Sequence, residues 1–74
     1  AQGDREGAIA DFSQVVRLNP NAGEAWFQRG LAYSVLGQTE AALDDARRAA
    51  QIFHKQGNTT AYHRARSLVA YLQK

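Results

Sequence analysis

One pairing of residue sizes restricts this chain more than any other. Between Glu24 and Phe53, a stretch carrying Trp26, Gly30 and Tyr33 is followed, past Gly37, by one carrying Ala42, Ala46, Ala49, Ala50 and Phe53. Trp26, Gly30 and Tyr33 recur at i, i+4 and i+7, and the second set keeps that period, so each set lies along one face of a helix. Glycine inside a helix costs about 1 kcal/mol relative to alanine. Set between two large rings on a packed face, Gly30 makes sense where a partner helix fills the space of a side chain. The expectation is an antiparallel hairpin of close approach. Trp26 and Tyr33 lie buried against an alanine ridge, with Gly30 at the crossing.

On either side of this hairpin the pattern stays helical. Asp4 offers an N-cap, and from about Arg5 to Leu18 the residues Ala8, Ile9, Phe12, Val15 and Val16 form one amphipathic stripe. Asn19-Pro20-Asn21 ends it, because the residue before a proline is pushed off the α region. Asn21 and Glu24 have the spacing of a capping box for the second helix, which runs to about Leu36 and stops at the C′ glycine Gly37. Thr39 is the expected cap of a third helix, about Glu40 to Phe53. After the break at Gln56-Gly57-Asn58-Thr59, Asn58 or Thr59 starts a fourth, about Thr60 to Gln73, with Ala61, Ala65, Leu68, Val69 and Leu72 on one face.

Trp26, Gly30, Tyr33, Gly37, Ala42 and Ala49 stand at the spacing of the tetratricopeptide repeat, a helix–turn–helix unit of about 34 residues, and the chain resembles that family. A shift of 34 residues lays Gly3 on Gly37, Glu6 on Glu40, Ala8 on Ala42 and Asp11 on Asp45, so residues 1–20 resemble the second half of a preceding repeat. Ala8, Phe12 and Pro20 occupy family positions there. Three departures stand out. Arg29 sits where the family usually has leucine, Ala46 replaces a large aromatic, and His54 replaces the closing proline. The first two imply looser packing inside the repeat. The same shift from Trp26, Gly30 and Tyr33 falls on the polar set Thr60, Arg64 and Ser67. One inserted residue restores the apolar register Ala61, Ala65, Leu68.

The resemblance implies an all-α, right-handed stack of antiparallel helix hairpins, an alpha-alpha superhelix. Its parts are half a repeat (1–20), one full repeat (21–54) and a C-terminal capping helix (55–74), four helices in one domain. The chain opens in mid-pattern without a methionine, so further sequence is expected upstream of Ala1.

Composition bounds the function classes. The chain has 74 residues, one proline and no cysteine, which excludes disulfide and thiolate chemistry. No run of roughly 18 apolar residues marks a membrane span, and no segment reads as a signal peptide; a cytoplasmic setting is favoured. Residues 1–40 carry three arginines against five carboxylates, and residues 41–74 carry six basic side chains against two. A mildly basic second half suits an acidic partner, although such a balance is ordinarily a solvated helical surface. No catalytic, cofactor-binding or metal-ligating set emerges. Ser13, Ser34 and Ser67 lack a nucleophile-elbow context. His54 and His63 are not spaced as a metal pair on one helix. Asp44-Asp45 point to different sides and read as a solvated face. Gly3-Asp4-Arg5-Glu6-Gly7 lacks the Gly-Lys-Ser/Thr of a phosphate loop.

Non-catalytic binding of a protein or peptide is therefore the expected function. Phe27, Leu31 and Val35, at i, i+4 and i+8, form an apolar strip on the side of the second helix away from the core face. The resemblance implies a concave groove lined by the first helices of successive repeats. By position, the second helix supplies Glu24, Phe27, Gln28, Leu31, Ser34 and Val35. The fourth supplies Tyr62, His63, Arg66 and Val69, which suits a peptide with apolar side chains and an acidic group. The same strip could instead pack on neighbouring helices. Some family members clamp the carboxylate end of chaperones with basic residues; this wall of the second helix has none, which disfavours that role. Self-association is the competing expectation, since the first helix lacks the partner that would cover Ala8 and part of the Ile9–Phe12 stripe. Nucleic-acid binding through Arg47, Arg48, Arg64 and Arg66 is disfavoured by the scarcity of interleaved aromatics.

Overall fold

A computed structural model describes residues 4–74 as four helices: α1 (Asp4–Leu18), α2 (Gly23–Val35), α3 (Thr39–Lys55) and α4 (Thr59–Leu72). Among the described residues there is no strand. Gly3, which the repeat shift pairs with Gly37, lies outside them.

Two short turns do most of the topological work. Gly37 has φ +80° and Gly57 φ +71°, the left-handed region that an L side chain resists. At the first, the Gln38 N–H donates to Tyr33 O at 2.9 Å and the Gly37 N–H to Ser34 O at 3.0 Å. At the second, Asn58 N–H donates to Phe53 O at 2.9 Å and Gly57 N–H to His54 O at 3.1 Å. Both are Schellman closures, which satisfy carbonyls that a helix end leaves without partners. Each connection is so short that the residue after the glycine both closes one helix and caps the next. At Asn58 this is productive, because its side-chain oxygen accepts from the Ala61 N–H at 3.2 Å.

The starts of α2 and α3 differ from expectation. Gln38, not Thr39, is the N-cap of α3, and its side chain makes no capping hydrogen bond. The Schellman closure fixes Gln38 at the junction, so Thr39 falls inside the helix. Ala22, not Asn21, caps α2, again without a side-chain bond. The Asn19 side chain accepts from the Asn21 N–H at 3.2 Å, which prolongs the turn at Pro20. Glu24 does not reach back; it accepts from Gln28 Nε2 at 2.7 Å.

Contacts along the helices run in opposite senses. Gly23 meets Phe53 while Gly30 meets Ala42 and Asp45, so α2 and α3 are antiparallel. His54 lies beside Tyr62 while Arg47 shares a cleft with Arg66, so α3 and α4 are antiparallel too. α2 touches the other three helices, whereas α1 packs on α2 alone.

The centre of the stack is alanine. Ala42, Ala46, Ala49 and Ala65 are completely buried, and among the described residues no large side chain is. Phe27, Phe53, Leu68 and Val69 close around this ridge, and α4 uses the one-residue-shifted register, burying Ala61, Ala65 and Leu68. A Cβ added at Gly30 would lie 3.2 Å from Ala42 O and 3.3 Å from Asp45 Cβ, so the helices cross there with no room for a side chain. Trp26 and Tyr33 are half-buried rather than buried. The alanine ridge is shallow, and the most enclosed places beside it go to Phe27 and Phe53. Trp26 still packs on the core, but its Nε1 donates to Pro20 O at 2.9 Å, which keeps one edge of the indole outward. On α1, Val16 is buried and Ala8, Ile9 and Phe12 are half-buried, while Val15 and Leu18 are exposed.

Candidate functional site

The strongest polar arrangement joins three helices and was hidden among residues of ordinary surface type. Arg29 on α2 donates from Nε to Asp45 Oδ2 at 2.7 Å and from Nη2 to Asp45 Oδ1 at 2.8 Å. A third donor reaches Ser13 Oγ of α1 at 2.9 Å. The guanidinium lies 5.0 Å from the Trp26 ring centroid and 5.6 Å from that of Tyr33. Asp45 is 3% exposed, which overturns its reading as part of a solvated face. A buried carboxylate needs this kind of pairing, since an isolated charge in the interior is very costly. The hydrogen bond to Asp45 raises the Arg29 pKa above its ordinary value; burial lowers it, and the charges of Asp45 and Tyr33 raise it again. Arg29 is thus a fixed cation. It ties α1, α2 and α3 together where the sequence implied loose packing.

The α2 residues expected to line a groove divide into two groups. Phe27 is 6% exposed and belongs to the core. Arg64 of α4 covers it, with the guanidinium 4.8 Å from the ring centroid, and also approaches Glu24 at 4.0 Å. Gln28, Leu31 and Ser34 are half-buried, and Val35 is 61% exposed. One helical side of α2 therefore changes from a closed floor at Phe27 to an open apolar surface at Val35.

Tyr62, His63 and Arg66 lie elsewhere. Tyr62 packs beside His54 of α3, with ring centroids 5.4 Å apart, and His63 lies against Tyr62 at 5.6 Å. Arg66 and Tyr62 line a cleft of roughly 330 Å³ together with Arg47, Gln51 and His54 of α3. Arg64 is two residues from each of Tyr62 and Arg66, or about 200° around a helix. The structure thus places the α2 strip and the Tyr62–Arg66 set on opposite sides of α4. The four arginines considered for nucleic acid are likewise dispersed. Arg48 stacks on the Trp26 ring at 5.0 Å and Arg64 on Phe27, while Arg47 and Arg66 line the α3–α4 cleft. Among the described residues no group of three or more potential metal ligands converges, and no helix is long and apolar enough to cross a membrane.

Comparison with known proteins addresses the family directly. A model described as TPR repeat matches residues 1–37, and one described as Tetratricopeptide repeat matches residues 23–56. The chain belongs to the tetratricopeptide repeat family. It is 38% identical over 54 residues to the small glutamine-rich tetratricopeptide repeat-containing protein 2 of Mycosarcoma maydis. That match covers 73% of this chain and 15% of the fungal protein. It is 42% identical over 43 residues to an uncharacterized protein of Methanocaldococcus jannaschii, covering 58% of this chain and 50% of the archaeal one. The chain thus spans half or less of the length of these curated relatives. No solved structure matches it. Tetratricopeptide repeats are in general non-catalytic scaffolds for protein–protein interaction.

Proposed function

We propose that this tetratricopeptide repeat segment holds a protein or peptide partner in the groove between α2 and α4, along Gln28, Leu31, Ser34 and Val35. The observation that carries this reading is Val35, 61% exposed one turn beyond the half-buried Leu31. An apolar side chain left open beside polar neighbours on a helix fixed by its packing offers a partner both burial and hydrogen bonds. Phe27 contributes as the floor beneath Arg64 rather than as a contact surface.

Selection of peptides from a random displayed library, followed by amide shift mapping, tests this. Bound peptides should carry apolar anchors and shift Leu31, Ser34 and Val35. Val35→Asp should abolish binding with an unchanged circular dichroism spectrum, because Val35 supports no core contact. Peptides that map elsewhere and bind V35D equally would reject the groove.

Self-association through α1 is a second reading, favoured by Val15 at 42% and Leu18 at 76% exposure. Light scattering over a dilution series distinguishes it; a monomer at every concentration removes it.

A further inference from the structure

We propose that the cleft between α3 and α4 is a second binding site, on the other side of α4 from the α2 strip, for an acidic peptide segment. Its carboxylates would pair with Arg47 and Arg66.

The charge balance of the surface carries this inference. Residues 41–74 hold six basic side chains and two acidic ones, Asp44 and Asp45. Asp45 is buried and bonded through both oxygens to Arg29, so Asp44 is the one exposed side-chain carboxylate in that half. It does not line the cleft. Arg47 and Arg66 enter from facing helices, and Gln51 and His54 of α3 line the cleft with Ala50 and Tyr62 as its apolar part. The described ion pairs engage Arg29 and Arg64 and leave Arg47 and Arg66 without a carboxylate. Two exposed guanidinium forks across a half-apolar cleft are complementary to a peptide that presents two carboxylates. A nucleic acid fits less well. Tyr62 is the one ring in the cleft besides His54, and it is half-buried against the core, so successive bases would find no stacking platform.

Fluorescence anisotropy on the 74-residue chain, with a labelled alternating Gly-Glu peptide, tests the site. The Glu peptide should bind and its Gly-Gln counterpart should not. Arg47→Gln and Arg66→Gln should each weaken binding about tenfold, the low end for an exposed charge-assisted hydrogen bond. Arg64→Gln and Val35→Asp should leave it unchanged, which separates this site from the α2 groove. All four side chains are exposed, and circular dichroism confirms that the variants fold. Four results would overturn the proposal: no binding of the Glu peptide, equal binding of the Gln peptide, an R64Q loss as large as that of R47Q, or tighter binding of single-stranded DNA of equal charge. A phosphoserine peptide that binds more tightly than the Glu peptide would overturn the choice of carboxylates.

Discussion

Replacing Arg29 with leucine restores the residue usual at that repeat position, yet it should destabilise this protein severely. The Asp45 side chain is 4% exposed, and both of its oxygens are bonded to Arg29. Removing the arginine strands a buried carboxylate, and breaking a buried pair from one side costs about 3–5 kcal/mol. Leucine recovers about 1 kcal/mol through apolar burial, leaving a net loss of about 3 kcal/mol. A domain of this size has a total stability of about 4–11 kcal/mol. The melting temperature should therefore fall by about 12–24 °C, at roughly 4–8 °C per kcal/mol. Asp45→Ala should cost less, about 2 kcal/mol, because the guanidinium keeps Ser13 Oγ, the faces of Trp26 and Tyr33, and 17% of its solvent exposure. The double variant R29L/D45A removes both charges and should lose only about 2 kcal/mol, less than R29L alone, a coupling of about 3 kcal/mol in the mutant cycle. Urea and thermal unfolding followed by circular dichroism at the helical band reads all four proteins. An R29L protein as stable as the parent, or a double variant no better than R29L, would refute the idea that Asp45 depends on Arg29.

Other perturbations follow from the same geometry. Because the Arg29 pKa is raised in the folded state, the stability it lends is complete below the ordinary guanidinium range and is lost only as pH climbs through the raised value. Unfolding followed between neutral pH and about pH 11 should show no pH dependence from Arg29, since it stays charged in both states across that range; R29L and parent should differ by a constant amount there. Gly30→Ala should cost about 1–2 kcal/mol despite the better helix former, because its Cβ would press on Ala42 O. Gly7→Ala, where a Cβ would meet nothing within 4 Å, should instead stabilise by up to about 1 kcal/mol; chemical denaturation compares the two. Asn58→Ala should cost about 1 kcal/mol through the lost cap on Ala61, visible as a lower urea midpoint.

The hairpin was legible in the sequence because its signal is size, repeated at helical period. Gly30 between two rings opposite alanines permits few other packings. The register of α4 was legible for the same reason, since only the shifted face is apolar. The Arg29–Asp45 pair was not, because its members stand 16 residues apart on different helices and each alone looks like a surface residue. A usable signal was nevertheless present: Arg29 at a position the family fills with leucine, and Asp45 beside the core alanine Ala46. Two opposite charges on facing core positions call for each other. The caps at Asn21 and Thr39 failed because neighbouring turns had already claimed the junctions, a tertiary matter that local preference does not report. The groove set was half legible. Periodicity identifies the flanks of α4, but it does not say which flank turns toward α2. Arg64 does, and Tyr62 and Arg66 turn toward α3.

A stack in which each helix depends on its neighbours makes a distinctive demand on stability along the chain. α3 is enclosed between α2 and α4, whereas α1 rests on α2 alone. Native-state amide hydrogen exchange resolved by residue tests this most directly. Amides of Ala46, Ala49 and Ala50 should exchange only with global unfolding, and those of α1 from about Ala8 to Val15 through a cheaper local opening. Protection that is uniform across all four helices, or greatest in α1, would contradict a nearest-neighbour stack centred on the α2–α3 hairpin.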